Sequence, residues 1–230
     1  MSVEFEYGHD FRQEEPWRIF RIMAEFVEGT EETARIHPAV SIFGSARILP
    51  GTPYYNQAEL LARKLADSGY NIITGGGPGI MEAANKGAKE SGSGRSVGLN
   101  IELPAEQVAN PFVEKLITFR YFFIRKVMFI KSSCAVVVLP GGFGTLDEFF
   151  ESVTLIQTHK IPPRPVYLMG REFWGGLIGW ARTVVLAQKH IDPEDLDIFT
   201  LTDDIDEVVE GIRKRCPLAQ CPANPFQEGL

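Results

Sequence analysis

The sequence contains few cysteines and no excess of positive charge. Its 230 residues include only three cysteines, Cys134, Cys216 and Cys221. An odd number of cysteines does not suit a disulfide framework, and no histidine lies near enough to complete a zinc site. We therefore expect no bound metal and a reducing compartment, the cytoplasm. The formal net charge of −7 also argues against a general nucleic-acid-binding protein.

Long apolar runs are missing as well. No run approaches the ~20 residues that a membrane helix needs, so no membrane association is expected. The segment from Met1 to Asp10 is acidic and polar, which is unlike a signal peptide. A chain of 230 residues that is 44% hydrophobic can bury a full core as a single domain, residues 1–230. We expect a helical extension at 1–38, a core at 39–216 and a loose tail at 217–230.

Two nucleotide-binding fingerprints are not found. The dinucleotide pattern needs a third glycine where Ile80 follows Gly75 and Gly77, and an acid where the preceding strand ends in Thr74. The triphosphate-binding pattern needs a lysine after its last glycine, and no lysine stands at that spacing after any glycine loop of the sequence. Neither a nicotinamide cofactor nor a nucleoside triphosphate is therefore expected, and no other cofactor is predicted.

One stretch, from Cys134 to Gln157, carries most of the information that is present. It begins with a valine-rich apolar run to Leu139, which is too short for a helix and typical of a strand buried on both faces. Pro140 ends the run. Gly141, Gly142 and Gly144 then predict a turn that only residues without a Cβ adopt at low cost, and an amphipathic helix is predicted from Thr145.

A buried strand, a glycine turn and a helix N-terminus together favour an anion site. The free N–H groups and the positive end of the helix dipole both face the turn, and glycines let a phosphate approach the backbone. Glu148 lies about one turn inside the predicted helix, which brings a carboxylate near a bound phosphate. The alternative is a tight loop followed by an acidic helix start, since acids are common in a first turn.

Strands alternate with helices along the rest of the chain. This predicts an α/β fold with a doubly wound, mostly parallel sheet of the Rossmann-like mononucleotide-binding kind. The predicted strands are Ala39–Phe43, Asn71–Thr74, Val97–Ile101, Leu116–Phe119, Cys134–Leu139, Pro165–Met169 and Phe199–Leu201. Three unusual loops follow strands, at 44–47, 75–79 and 141–145. Ligands of such sheets bind outside the carboxyl ends of the strands, so the three loops should converge there.

Two predicted helices carry apolar residues in excess of one packed face. The first, from about Phe11 to Arg35, has an aromatic stripe and should pack on the outside of the sheet or on a partner subunit. The other, Phe122 to Ser132, contains Arg125 and Lys126. An isolated pair of this kind is typical of a solvated helix face. Its neighbours here predict a helix buried nearly all round, where a charge needs a partner or a ligand, so Arg125 should face a site.

The sequence resembles the LONELY GUY family, often labelled lysine decarboxylase-like. The resemblance is carried by GGGPGIMEAANKGA at 75–88, by the pair Arg125 and Lys126, and by PGGFGTLDE at 140–148, and it extends over about 39–161. It implies hydrolysis of the N-glycosidic bond of nucleoside 5′-monophosphates, including N6-modified adenine nucleotides (cytokinin precursors), to free base and ribose 5-phosphate. It also implies that Arg125 and Glu148 are catalytic, and that the protein forms a homodimer or a higher homo-oligomer.

The loops and their neighbours supply the candidate substrate-binding residues. Glu82 is either a second acid of the site or an ordinary first-turn acid. The candidate substrate-binding residues are Gly44, Ser45, Gly75, Gly76, Gly77, Gly79, Met81, Glu82, Asn100, Lys126, Gly141, Gly142, Gly144 and Thr145.

The chain departs from the resemblance at one point. Many cytokinin-activating members have Asp-Met before the Arg-Lys pair, where this chain has Tyr121 and Phe122, so its base preference is left open. Amino-acid decarboxylation would need an electron sink such as a pyridoxal lysine, and no lysine has a predicted position for one. Two other functions are kept as alternatives: a non-catalytic nucleotide or cofactor carrier, and a structural or regulatory oligomer.

Overall fold

A parallel sheet of seven strands organises the computed structural model, which describes residues 17–102 and 108–218. The strands are β1 (Ala39–Phe43), β2 (Asn71–Thr74), β3 (Ser96–Ile101), β4 (Lys115–Phe119), β5 (Ala135–Val138), β6 (Val166–Met169) and β7 (Phe199–Thr202). Their order is β4-β3-β2-β1-β5-β6-β7, and every neighbouring pair is parallel. The predicted Rossmann-like α/β fold is confirmed.

Helices cover both faces of the sheet. They are α1 (Arg18–Ala34), α2 (Pro53–Asp67), α3 (Ile80–Ser91), α4 (Phe122–Ser132), α5 (Phe143–Gln157), α6 (Arg171–Trp180) and α7 (Ile205–Arg215). Helices α2, α3 and α7 pack on one face, and α4, α5 and α6 on the other. Strand β1 is buried throughout: Val40 and Ile42 belong to the first layer, Ala39 and Phe43 to the second. This explains why β1 has no polar–apolar alternation.

The strand order reverses between β1 and β5. From β1 the chain builds outward through β2, β3 and β4, and then returns to add β5 on the other side of β1. Residues Val40 to Phe43 pair in register with Ala135 to Val138. At this reversal the connections after the two central strands lead to helices on opposite faces of the sheet, α2 after β1 and α5 after β5, which leaves a crevice at the carboxyl edge. Two of the predicted glycine-bearing loops, at 44–47 and 141–145, border this crevice.

Helix α1 packs against α4 and the edge strand β4, on the outside of the sheet. Its buried residues are the small Gly29 and Thr33, which approach Phe119 and Met128. The large side chains of the stripe face outward: Trp17 is 69% exposed, Phe20 58% and Met23 57%. The first part of the predicted helix, before Trp17, lies outside the described residues. The described part also contacts the chain through Ile22, which packs on the second core cluster, and through the Glu25 carboxylate, which accepts from the N–H groups of Arg120 and Tyr121. Much of the apolar stripe is left exposed.

Several element boundaries differ from the prediction. Cys134 precedes β5 and is only partly buried, and α5 begins at Phe143, two residues before the predicted start. Helix α7 begins at Ile205, because the Asp204 carboxylate caps it by accepting from the N–H groups of Asp206 and Glu207. Helix α6 runs directly into a π-helical turn at 181–186.

Some predictions fall on parts of the chain that are not described. Residues 1–16 and 219–230 are among these, so the helical extension and the loose tail stay predictions. The Cys134 thiol donates to the carbonyl of Ala39 at 3.2 Å, and the Cys216 thiol donates to the carbonyl of Cys134 at 3.0 Å. Cys221 lies outside the described residues. Between Trp17 and Leu218, within the two described ranges, no helix has the length and apolarity needed to cross a membrane.

Candidate active site

A cavity of about 660 Å³ opens at the carboxyl edge of the sheet, beyond the ends of β1 and β5. Its size suits a small organic ligand. Its walls come from the three glycine-bearing loops and from the first turns of α3, α4 and α5. The lining residues are Phe43, Gly44, Ser45, Ala46, Arg47, Gly75, Met81, Ile101, Phe122, Arg125, Phe129, Gly142, Phe143, Gly144, Thr145 and Glu148. Nine of the sixteen predicted site residues are in this set.

The loops after β1, β2 and β5 are fastened to one another by the backbone. The N–H of Ser45 donates to the carbonyl of Pro140 at 2.9 Å, and the N–H of Ile80 donates to the carbonyl of Ser45 at 3.0 Å. Gly79 has φ +71°, and a Cβ added to it would lie 2.4 Å from the Ser45 carbonyl oxygen. A Cβ on Gly44 would lie 2.5 Å from Ile80 Cγ2. These two glycines therefore serve the packing of the loops.

Hydrogen bonds from buried side chains hold the second glycine loop, residues 75–79, in place. The Asn110 side-chain Nδ2 donates to the carbonyls of Gly76 (3.1 Å) and Gly77 (2.9 Å), and to Asn85 Oδ1 (2.9 Å). The Thr74 hydroxyl also donates to Asn85 Oδ1, at 2.6 Å, and accepts from the N–H of Gly76 at 3.0 Å. The carbonyls of this loop thus point toward the protein.

The third glycine loop forms the N-terminus of α5 at the cavity wall. Gly142 precedes the helix with φ −90°, and Cβ atoms added to Gly142 or Gly144 would meet nothing within 4 Å. The prediction that this turn requires residues without a Cβ is therefore wrong for these two positions. Gly141 is different, because its Cβ would lie 2.1 Å from Thr145 Oγ1. The absence of side chains at Gly142 and Gly144 instead exposes the first N–H groups of α5 to the cavity.

Glu148 is a buried carboxylate at the cavity wall, on α5. Its side chain is 6% exposed, and it is the only charged residue of the described ranges that is buried to this degree. Its Oε2 has no hydrogen-bond partner in the described part of the chain. Burial raises the pKa of Glu148 to about 7, against the opposing positive charges of Lys126 and Arg125. A carboxyl group with this pKa can hold or release a proton near neutral pH.

Arg125 contributes an uncompensated cation to the same cavity. Its guanidinium lies over the rings of Phe122 (5.2 Å) and Phe129 (5.6 Å), and no carboxylate of the described ranges lies within ion-pair distance of it. Its Nε is buried without a hydrogen-bond partner among the residues described. Burial lowers the pKa of Arg125, and the charge of Glu148 opposes that effect. An anionic ligand in the cavity would supply the missing counter-charge.

The prediction that the helix bearing Arg125 is buried nearly all round is wrong. Helix α4 is not buried all round, since Phe122 and Phe123 are 54% and 51% exposed. Its buried side is formed by Ile124 and Met128 with three residues near its end. Arg125 is held at the cavity by its two ring contacts on a helix that is open on one side.

Other predicted site residues lie outside the cavity wall. The Lys126 ammonium pairs with Asp147 (2.7 Å) and Glu151 (3.2 Å) on α5, so it ties α4 to α5. Glu82 accepts a hydrogen bond from the Tyr55 hydroxyl at 2.9 Å. Asn100 uses its Oδ1 to accept from the N–H of Ile101 at 2.9 Å. The remaining predicted residues outside the wall are Gly76, Gly77, Gly79 and Gly141.

Several residues of the site carried no recognised signal in the sequence. Asn110 lies far along the chain from the loop that it holds. Arg47 lines the cavity, although the sequence marks it only as part of the loop at 44–47. Phe143 occupies the variable position between two motif glycines, where the sequence pattern prescribes nothing. Only the folded arrangement shows that these residues belong with the glycine loops.

The arrangement combines anion binding with acid–base chemistry. The N-terminus of α5 and Arg125 both favour a negative group in the cavity. Glu148 offers a carboxylate one turn farther along the same helix, away from bulk water. Within the two described ranges, no cluster of three or more His, Cys, Asp or Glu side chains could hold a metal ion. The chemistry that this site can perform with its own residues is therefore stabilisation of a cationic centre, or activation of water, next to a bound anion.

Residues 81–212 match the sequence family described as possible lysine decarboxylase. The chain belongs to this family. The match covers more than half of the chain, including Arg125 and the whole of α5. The resemblance to the LONELY GUY group is thereby confirmed, because relatives of this chain carry the corresponding enzyme name.

Three relatives match this chain at 28% to 35% identity. A cytokinin riboside 5′-monophosphate phosphoribohydrolase of Rhodococcoides fascians is 28% identical over 180 residues, which is 76% of this chain and 89% of the relative. A pyrimidine/purine nucleotide 5′-monophosphate nucleosidase of Escherichia coli is 29% identical over 125 residues, or 50% of this chain and 28% of that protein. An uncharacterised Archaeoglobus fulgidus protein is 35% identical over 95 residues, 41% of this chain and 60% of its own length.

Solved structures share the fold. The X-ray structure of TM1055, a structural-genomics target, has a TM-score of 0.59 and 25% identity, and the match covers 77% of this chain and 99% of that one. A molybdenum cofactor binding protein from Rippkaea orientalis has a TM-score of 0.55 and 22% identity, covering 77% of this chain and 96% of the other. At this identity the second similarity shows the fold alone.

Proposed function

We propose that this protein hydrolyses the N-glycosidic bond of a purine nucleoside 5′-monophosphate, releasing the free base and ribose 5-phosphate. Substrates with an N6-modified adenine are included in the proposal. The observation that carries it is the buried, unpartnered carboxylate of Glu148 beside an anion-binding helix N-terminus. The relatives named as a phosphoribohydrolase and as a nucleotide nucleosidase support the same reaction class.

The phosphate would bind at the N-terminus of α5. Gly142 and Gly144 leave space there for a phosphate to contact backbone N–H groups, and the helix dipole favours its charge. The Thr145 hydroxyl, which lines the cavity, can donate to a phosphate oxygen. Nucleosides without the phosphate should therefore be poor substrates.

Glu148 would act beneath the C1′ atom of the ribose. Breaking the bond from C1′ to the base nitrogen develops positive charge on the sugar ring, as in an oxocarbenium ion. An ionised Glu148 stabilises that charge and can take a proton from the attacking water. The water oxygen bonds to C1′, and the electron pair of the broken bond leaves with the base. The raised pKa of Glu148 makes it a stronger base than an exposed carboxylate.

Arg125 would act as a fixed positive charge. A guanidinium does not give up its proton in a protein, so it is not proposed as a general acid. The rings of Phe122 and Phe129 contact the Arg125 guanidinium and hold it at the cavity wall. There it can bind the phosphate, orient Glu148 or stabilise the electron pair that the base carries away.

A carrier of a nucleotide or a molybdenum cofactor is the second candidate. One solved structure with this fold has a molybdenum cofactor binding title. A carrier needs the glycine loops, but it has no use for a buried carboxylate that repels phosphate. Glu148 therefore favours hydrolysis.

We also propose that the protein forms a dimer or a larger homo-oligomer. The uncovered stripe of α1, with Trp17, Phe20 and Met23, and the half-exposed Phe122 and Phe123 of α4 exceed what a solvated surface normally shows. Sedimentation at micromolar concentration tests this proposal, and a monomer alone would contradict it. The cytoplasmic location and the absence of nucleic-acid binding stay predictions.

The experiment that tests the function is a base-release assay on a panel of monophosphates. AMP, N6-substituted AMP, GMP and UMP would each be incubated with the protein, and free base would be separated by chromatography. Adenosine is the matched control, because it differs from AMP only by the phosphate. Release of adenine from AMP but not from adenosine supports the proposal. Equal rates on the two would contradict the role of the α5 N-terminus.

A further inference from the structure

Phe143 is the most exposed large apolar side chain of the described ranges. It is the first residue of α5, lies between Gly142 and Gly144, and lines the cavity. Its side chain is 91% exposed, and it belongs to neither core cluster. The fold of the chain therefore gains nothing from an aromatic ring at this position. A ligand that fills the cavity would cover part of this ring, because the ring lines the cavity.

We propose that Phe143 stacks on the nucleobase of the bound nucleoside monophosphate, which rests on the function proposed above. The cavity has four aromatic residues. The Phe43 and Phe129 rings pack against each other at 5.0 Å, and both Phe122 and Phe129 support the Arg125 guanidinium. In the described part of the chain no ring or cation contact involves Phe143. Among the four phenylalanines of the described cavity, Phe143 is therefore the one with no ring or cation against either of its faces.

The position of Phe143 on α5 also favours the base over the phosphate as its contact. The phosphate needs N–H groups and positive charge, which the backbone at Gly142 and Gly144 and the Arg125 guanidinium provide. A phenyl ring offers neither. The base is the planar, weakly polar part of a nucleotide, and aromatic stacking holds any base by its face.

Stacking would supply much of the affinity for the base. Among the lining residues of the described cavity, none is Asn or Gln, the side chains whose amides form two hydrogen bonds with N6 and N7 of adenine. Met81 and Ile101 give the cavity an apolar wall without hydrogen-bonding groups. Removing the ring at Phe143 should therefore lower the affinity specifically for ligands that carry a base.

The test compares two ligands on the same variant. AMP carries a base, and ribose 5-phosphate lacks one but keeps the sugar and the phosphate. Calorimetric titrations would use the full chain with Glu148→Gln, so that AMP is not consumed. We expect Phe143→Ala to weaken AMP binding by between ~5-fold and ~150-fold, the range that base stacking on an aromatic ring gives. The affinity for ribose 5-phosphate should change less than ~2-fold, and Phe143→Trp should restore AMP binding.

Phe150→Ala is the matched control. Phe150 is a second phenylalanine of α5, is 44% exposed, and packs on Phe149 outside the cavity. Its replacement should leave both affinities unchanged. Equal AMP affinity with and without the Phe143 ring would overturn the inference, as would equal losses for AMP and ribose 5-phosphate. A change in sedimentation with unchanged AMP binding would also overturn it, because the ring would then be covered by a second copy. If the parent protein binds neither ligand, the proposed function itself fails.

Discussion

Replacing Glu148 with glutamine should make the protein more stable at alkaline pH. The reason is the burial of the carboxyl group, which raises its pKa from 4.5 to about 7. A raised pKa in the folded state means that folding favours the protonated form. The stabilisation is fully present below pH 4.5, is lost as the pH rises to about 7, and stays lost above that value. Glutamine keeps the shape of the neutral acid and cannot ionise.

The size of the effect follows from the shift in pKa. A difference of roughly 2.5 pKa units corresponds to about 3 kcal/mol, at ~1.4 kcal/mol per unit. At pH 8 the free energy of unfolding of Glu148→Gln should exceed that of the wild type by an amount of this order. At pH 5 the gain should be about 1 kcal/mol or less, because most wild-type molecules then carry a proton on Glu148.

Urea unfolding at pH 5, 6, 7 and 8 measures this gain. The midpoint difference between variant and wild type should grow with pH and level off above pH 7. Glu28→Gln is the control, since Glu28 is an exposed glutamate on α1, and its replacement should leave the pH dependence unchanged. A stability difference that is zero or negative at pH 8 would refute the reasoning. In that case the neighbouring positive charges would stabilise the ionised carboxylate by more than burial destabilises it.

Three further predictions concern the rest of the site. First, kcat/KM for AMP should rise with pH and level off above about pH 7, because Glu148 acts in its ionised form; a profile that falls through pH 7 would assign it the acid role. Secondly, Gly142→Ala should fold with wild-type stability, because its Cβ meets nothing within 4 Å, yet bind AMP at least ~10-fold more weakly. Gly141→Ala should instead lose stability, through contact with Thr145; equal behaviour of the two variants in urea and in titration would contradict this assignment. Thirdly, Asn110→Ala should lower the free energy of unfolding by about 2 kcal/mol, since it leaves the Gly77 carbonyl without its side-chain donor, while the Gly76 carbonyl keeps the backbone N–H of residue 110; an unchanged urea midpoint would mean that the loop does not depend on it.

The order of the elements could be predicted because each has a local signal. Buried parallel strands such as β1 and β5 are short continuous apolar runs, and glycine loops separate them from helices. The start of α5 was misplaced by two residues because Gly144 is a poor helix former by propensity. At a helix N-terminus open to a cavity, the missing side chain matters more than propensity does.

The site could be predicted only in part, for a physical reason. Glu148 and Arg125 stand in motifs with local spacing, so their positions at one sheet edge follow from the fold. Asn110 and Phe143 have no such spacing. Asn110 acts through hydrogen bonds across a large sequence separation, and the exposure of Phe143 is a property of the folded surface. The exposure of Phe122 was missed because apolar content does not say which sides of a helix are covered.

The most direct test of the central claim is a single-turnover reaction with the enzyme in excess over AMP. Adenine and ribose 5-phosphate would be quantified over time, and binding would be followed in parallel by calorimetry. We predict that wild-type protein converts AMP to equal amounts of the two products. Glu148→Gln should bind AMP but form products at least ~10²-fold more slowly, as expected for the loss of one electrostatic stabiliser. Recovery of intact AMP from wild-type protein that has bound it would contradict the account and identify the protein as a carrier.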